Sequence, residues 1–355
     1  MPLAPITGHE TTRKDLLSSL QNGRVPQVLL MTGAIGVGKQ RLALWFAQVL
    51  FCSSRADAPC GRCSGCTRVL ALSHPDLHWF VPVPRPKAGD FDKQIDEVAE
   101  SIEALIAERR AAPWWGPADG MSSHGVASAR LLQRHASMTP VEGGWRVFII
   151  GDAERLVPQE SSPEAANSLL KLLEEPPTRT LCVLTTSEPG QILPTIRSRS
   201  VPVRLGRLTD ADVRSFLAAH RPDLASDAVV TRARGSIGAA IATASDVAAK
   251  AAAGAASFLD AIEAGGSAPV ERALKQGPWQ ARGDFTALLD ALAAELSRQA
   301  RRAADHGDRV SPEGLEWLTA AIGHVLMARE RAQGNINPQL LLASLADELA
   351  TSGAA

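Results

Sequence analysis

The sequence predicts an α/β nucleotide-binding fold of the P-loop type followed by all-helical segments, and three observations carry that reading. The first is Val28–Gln40, VLLMTGAIGVGKQ, where an apolar run, a glycine-rich turn and an amphipathic stretch succeed one another. The second is a series of further short apolar runs separated by helical patterns, the signature of a mainly parallel sheet covered on both faces. The third is the end of strand patterns beyond Gly206, after which alanines and leucines recur at helical spacing.

Taken in order, Thr11 to Asn22 predicts a helix with Leu16, Leu17 and Leu20 on one face, and Pro26 separates it from the strand Val28–Met31. Gly33, Gly38 and Lys39 then fit G-x-x-x-x-G-K, with Gly36 adding backbone freedom. Loop N–H groups and the start of the next helix, Arg41 to Phe51, would cradle phosphate there. Gln40 departs from the pattern. A Ser or Thr hydroxyl belongs at that position because it ligates the magnesium ion bridging the phosphates, and a longer neutral amide substitutes poorly. Gly33, Gly36, Gly38, Lys39 and Gln40 therefore describe a degenerate site. The sequence leaves open ATP, ADP or phosphate alone as its ligand.

Next come Cys52, Cys60, Cys63 and Cys66, with Gly61 and Gly65 giving tight turns between two C-x2-C steps. This spacing suits four thiolates converging on one tetrahedral zinc, and with no open ligand position the site reads as structural. Disulfides are the alternative. The opening MPLAPITGHETTRKD lacks a secretory pattern, which favours zinc and an expected cytoplasmic location. Cys182 falls in an apolar run and reads as a buried strand residue.

A strand is expected at Leu77–Val81, then an insertion over about 82–120. Its helix carries Ile95, Val98, Ile102 and Leu105, and Trp114 and Trp115 would pin it to the body. A helix at Ala127–Ala136 leads to the strand Trp145–Ile150, which ends in Gly151-Asp152-Ala153-Glu154. Acids closing an apolar strand are the second nucleotide-site signature, since they hold magnesium or polarise water. Helix Glu164–Glu175, strand Leu181–Thr185 and strand Val201–Leu205 complete the α/β part. Thr209-Asp210 caps short helices that run to about Ser245, and longer helices are expected at Phe285–Arg302, Pro312–Arg331 and Pro338–Ala350. Ser311-Pro312-Glu313 and Asn337-Pro338 are the helix starts.

At 355 residues the chain has room for roughly two or three domains. No apolar run reaches membrane-spanning length. A formal charge of −1, no Tyr and 4% aromatics argue against a protein that grips nucleic acid unaided.

Four features together resemble one family: Asn167-Ser-Leu-Leu-Lys-Leu-Leu-Glu-Glu-Pro-Pro177, Ser198-Arg199-Ser200 at an S-R-C position, the four-cysteine insert, and Asn335-Ile336-Asn337. They are similar to the bacterial clamp-loader subunits, the AAA+ proteins of the DNA polymerase III holoenzyme, over nearly the whole chain except about 82–120. The resemblance implies an AAA+ RecA-like domain at 1–206 with a cysteine module at 52–66, a helical lid at 207–247 and a helical collar at 248–355. The departures imply the kind of member. Motor subunits of the family end the P-loop in Lys-Thr or Lys-Ser, where this chain has Lys39-Gln40. They end the acidic strand in Asp-Glu, where it has Gly151-Asp152, and carry a sensor arginine in G-S-L-R, where it has Gly235-Ser236-Ile237-Gly238.

Arg199 stays. The resemblance thus implies a non-hydrolysing stator that gives an arginine finger to a neighbour's ATP, with Arg197 as second candidate. Its implied partners are the motor (gamma/tau) and delta subunits and, through the complex, the sliding clamp and primer–template DNA. Enzymatic character would come from membership of a DNA-directed DNA polymerase, a nucleotidyltransferase. Two other readings compete. An active motor subunit would need Asp152 or Glu154 in metal and base roles. A zinc-dependent nucleic-acid module would rest on Arg55, Arg62 and Arg68, a thin charge set for counterion release.

Overall fold

The computed structural model describes residues 3–54, 59–114, 122–142, 144–156, 164–244, 246–276, 282–305, 312–332 and 336–353. Arg55, Trp115, Gly143, Ser311 and Asn335 lie outside them, as do the end of the 82–120 insertion and Ser245. The chain divides into two compact units, residues 1–242 and 243–355.

Among its described residues the first unit is built on five parallel strands: β1 (Val28–Thr32), β2 (Leu77–Phe80), β3 (Arg146–Ile150), β4 (Thr180–Thr186) and β5 (Val201–Arg204). They lie in the order β2-β3-β4-β1-β5. Every residue of β3 and β4 is buried, as a parallel sheet covered on both faces requires, whereas the edge strand β5 is largely exposed. Among the described residues its α-helices are α1 (Glu10–Gln21), α2 (Lys39–Phe51), α3 (Ser64–Leu70), α4 (Phe91–Ala111), α5 (Val126–Ser137), α6 (Glu164–Glu174), α7 (Pro194–Arg197), α8 (Asp210–His220), α9 (Asp227–Ala233) and α10 (Ile237–Ala242). One sheet face packs Leu29, Met31 and Ile149 against α2, whose Leu42 and Phe46 are fully buried. The other packs Leu30, Phe148 and Ile150 against Leu132 of α5 and Leu169 of α6. The last three helices have a small core of their own, including Val213, Leu217 and Val230.

Two features differ from the pattern read in the sequence. A helix, α3, begins inside the cysteine cluster, because the Cys63 side chain accepts the Cys66 N–H and caps it. Propensity in SGCTRVL gives no hint of this; the cap and packing decide it. Trp114 leaves the sheet body and packs edge-on against Phe216 of α8, with ring centroids 5.5 Å apart.

The second unit is wholly helical in its described residues: α11 (Asp246–Ala264), α12 (Ala268–Leu274), α13 (Arg282–Asp305), α14 (Pro312–Arg331) and α15 (Pro338–Gly353). Phe285, Leu288, Leu289, Leu292 and Leu296 recur on one face of α13 and meet Val325 of α14 and Leu342 of α15. No helix among the described residues is long and apolar enough to cross a membrane.

His78 on β2 stacks on His135 of α5 at 4.5 Å and on Phe148 at 5.0 Å. Burial, and then the neighbouring His135 and Arg146, push its pKa down to about 4. An unfolded histidine titrates near 6.5, so as pH falls the unfolded chain takes up this proton first. The stack's stability is therefore complete above about pH 6.5 and is lost between 6.5 and 4. His78→Phe should narrow the difference between urea midpoints measured at pH 7 and pH 5.

Candidate functional site

Ligands of open parallel sheets bind beyond the carboxyl ends of the strands, and there β1 runs into the glycine-rich turn. Gly36 and Gly38 take positive φ, 74° and 103°, which a side-chain-bearing residue would adopt only under strain. Lys39 opens α2 and is only 6% exposed. Its Nζ donates to Gly33 O and Ala34 O, both at 2.9 Å, and to Ser187 Oγ at 2.8 Å. All three ammonium protons thus have protein acceptors. Burial pushes its pKa down, opposed by the carboxylates of Glu154, Asp152 and Glu188. His9 Nε2 lies 2.8 Å from Val37 O and ties the start of the chain to the same turn.

Gln40 and Asp152 meet. The amide Nε2 donates to Asp152 Oδ1 at 3.4 Å, and a Cβ added at Gly151 would lie 2.8 Å from that nitrogen. The glutamine therefore fills the space between the loop and the acidic strand end, where the P-loop pattern expects a hydroxyl and a metal. Asp152 itself adopts a left-handed φ of 51°. Glu154 is pushed above the usual carboxylate range, chiefly by burial, and its Oε2 has no hydrogen-bond partner.

The turn from α9 into α10 closes over this loop. Gly238 N–H donates to Gly36 O at 3.0 Å, and Ser236 Oγ donates to Ile35 O at 2.9 Å. A Cβ at Gly238 would stand 2.6 Å from Gly36 Cα. Backbone touches backbone at the place where the resemblance looks for a sensor arginine.

The four cysteines converge as their spacing predicted. Their Sγ atoms all lie within 4.8 Å of one another, and Cys63 Sγ is 3.9 Å from Cys52 Sγ. Four ligands at a zinc–sulfur distance of about 2.3 Å stand about 3.8 Å apart, so this donor set fits the ion. All five cysteines of the chain are free thiols. Burial pushes the Cys66 thiol up; that of Cys63, despite burial, is brought down to about 5 by hydrogen bonds from Cys66 and Ser53. Cys182 is fully buried in β4.

Arg199 lies beyond α7, away from the Lys39 turn in sequence and partly exposed. Its Nε donates to Glu174 Oε1 at 2.8 Å, its Nη2 donates to the same oxygen, and its Nη1 donates to Thr195 O at 2.9 Å. Arg197 is exposed. The site thus brings together Gly36, Gly38, Lys39, Gln40 and Asp152, and separately the cysteines. It adds Ser187 and Glu174, neither of which carries a local sequence signal for its contact, save that Glu174 is an acid at a helix end, and it gives Gly238, already singled out in the sequence, a contact with Gly36.

A family model described as "DNA polymerase III, delta subunit" matches residues 8–209, more than half of the chain. The chain is 31% identical over 186 residues to DNA polymerase III subunit delta′ of Bacillus subtilis, covering 52% of this chain and 44% of that protein. It is 31% identical over 218 residues to subunit gamma/tau of Mycobacterium bovis, covering 61% and 30%. It is 31% identical over 185 residues to subunit delta′ of Escherichia coli, covering 52% and 43%. It therefore spans less than half the length of these relatives.

Proposed function

The chain belongs to the DNA polymerase III clamp-loader family of delta, delta′ and gamma/tau subunits, and from that premise we propose that it is the delta-prime stator. In this role it hydrolyses no ATP itself and presents Arg199 to the ATP of a neighbouring motor subunit. Working with motor and delta subunits, it helps load the sliding clamp on primed DNA. The observation that carries this reading is the filled nucleotide site. Gln40 occupies the ground between loop and Asp152, Lys39 spends its protons on protein oxygens, and Gly238 lies on Gly36. Arg199, by contrast, keeps 31% of its side chain open to solvent. An RecA-like domain over 1–206, a lid over 207–247 and a collar over 248–355 are the domain roles that go with it. Cys52, Cys60, Cys63 and Cys66 hold a structural zinc, which supplies a fixed cross-link and no reaction step.

The isolated protein should turn over ATP at least about a hundredfold more slowly than a motor subunit, since losing even one transition-state contact costs roughly 10²–10³ in rate. Its P-loop amides can still take phosphate, with Lys39 exchanging acceptors to do so. The deciding experiment is reconstitution with motor and delta subunits, reading DNA-dependent ATP hydrolysis and clamp loading. Turnover by the isolated chain at a motor's rate, abolished by Lys39→Ala, would contradict the stator reading. A chain ending at Ala242 in the same assay tests the collar: it should fail to assemble.

A further inference from the structure

Helix α6 ends on Glu174 and is followed by Glu175. Carboxylates at a helix C-terminus face the partial negative charge of unpaired carbonyls, an arrangement that sequences ordinarily avoid. A local rule broken in this way points to another demand on the residue. Lys171 stands in the same last turn, yet Glu174 takes its cation from 25 residues further along: Arg199 gives Nε and Nη2 to Glu174 Oε1 and Nη1 to Thr195 O.

Both partners stand on rigid ground. α6 buries Ala165, Ala166, Leu169 and Leu173. Ile196 of α7, 1% exposed, packs into the same apolar cluster. Gln27 Nε2 donates to Pro176 O and Pro177 O, fixing the turn after Glu174, and Ser200 Oγ donates to Ile196 O at 2.8 Å, fixing the turn around Arg199. Four of the five guanidinium protons are engaged, the fourth through Nη1 to Ser198 Oγ at 3.4 Å. The second Nη2 proton, on the outer edge, remains for a ligand.

We propose that Glu174 is the positioning residue of Arg199: it holds the guanidinium side-on so that its outer edge is already aimed at a neighbouring subunit's γ-phosphate. This rests on the arginine-finger reading above. A free arginine would have to be immobilised each time the neighbour's site assembled, and immobilising one such side chain costs a factor of about two to ten. Glu174 and Thr195 O make that adjustment in advance. The opposing effect is that a carboxylate beside the finger weakens its field at the phosphate. Contact along Nε rather than at the outer edge keeps that charge on the far side of the guanidinium.

The test compares the parent, Glu174→Ala, Glu174→Gln, Arg199→Ala and the Glu174→Ala/Arg199→Ala double variant, each reconstituted as full chain with motor and delta subunits. ATP hydrolysis is read as kcat and KM, alongside thermal unfolding of each isolated chain. Glu174→Ala should lower kcat about threefold to tenfold with KM and assembly unchanged. Glu174→Gln, which keeps an oxygen for Nε, should fall between it and the parent. Removing Glu174 from the Arg199→Ala background should change nothing further. If Arg199→Ala is slow while Glu174→Ala matches or exceeds the parent, the positioning role is overturned and the finger stands. A Glu174→Ala loss that tracks lowered thermal stability or lost assembly makes the pair a helix-end counter-charge and likewise overturns it. Should Arg199→Ala itself run at the parent rate, the finger reading fails, which separates the two failures.

Discussion

Arg199→Ala should slow ATP hydrolysis at the one motor site facing this subunit by about a thousandfold, the lower end of the 10³–10⁵ that arginine fingers contribute. On the finger reading the guanidinium opposes charge spread over the transferring phosphoryl oxygens, and Arg197, exposed at the end of α7, is the competing cation. Folding should be untouched. The pair with Glu174 is partly solvent-exposed on both sides, and such pairs contribute less than about 1 kcal/mol. Arg199→Lys should recover little, because a point charge cannot reproduce the planar fork that now bonds through three nitrogens. Arg197→Ala should be milder. Single-turnover hydrolysis in reconstituted complexes, with clamp loading as second readout, checks all three. Unaltered hydrolysis by Arg199→Ala complexes would remove the finger from the mechanism.

Cys63→Ser should abolish stoichiometric zinc, weakening the metal by at least about a hundredfold, since even residues behind the ligands are worth 10–100-fold. Cys63 has two duties, as one of four convergent sulfurs and as the cap of α3. Its loss should free Cys60 to Leu70 from protection against hydrogen exchange. The sheet should stay folded, because α2 buries Leu42, Phe46 and Val49 in the main core before the module begins. Chelation should reproduce the effect in the parent, metal binding and local folding being one equilibrium. Protein purified without chelator should carry one zinc per chain. A metal-free preparation with an intact module, or a Cys60–Cys63 disulfide, would refute the site.

Much of this molecule could be read from local pattern. β1, β3 and β4 are apolar runs bounded by breakers, and α13 repeats its leucines at helical spacing; such elements follow from a few adjacent residues. The same holds for the cysteines, whose spacing already dictates convergence. What escaped depends on distance along the chain. Ser187 meets Lys39 from 148 residues away, and Ser236 meets Ile35 from 201. Short-range pattern contains nothing about such pairs, because the fold creates them. α3 escaped for a different reason: a sulfur cap overrides weak helix propensity. Glu174 is an acid in the last turn of α6 beside Lys171, and only the fold names Arg199 as its partner.

If the chain is the non-hydrolysing stator proposed above, the contact between Gly36 and Gly238 makes that state hard to reverse. A Cβ at 238 would stand 2.6 Å from Gly36 Cα, and one at 36 would stand 2.8 Å from Gly238 Cα. Each glycine thereby forbids the other from changing alone. An arginine cannot enter position 238 by a single mutation, since the two segments must first part and give up the hydrogen bond between them. Restoring Thr or Ser at position 40 would leave that obstacle in place. Descent from a hydrolysing ancestor would thus have become a ratchet, in which a change first tolerated for want of use is now held by packing.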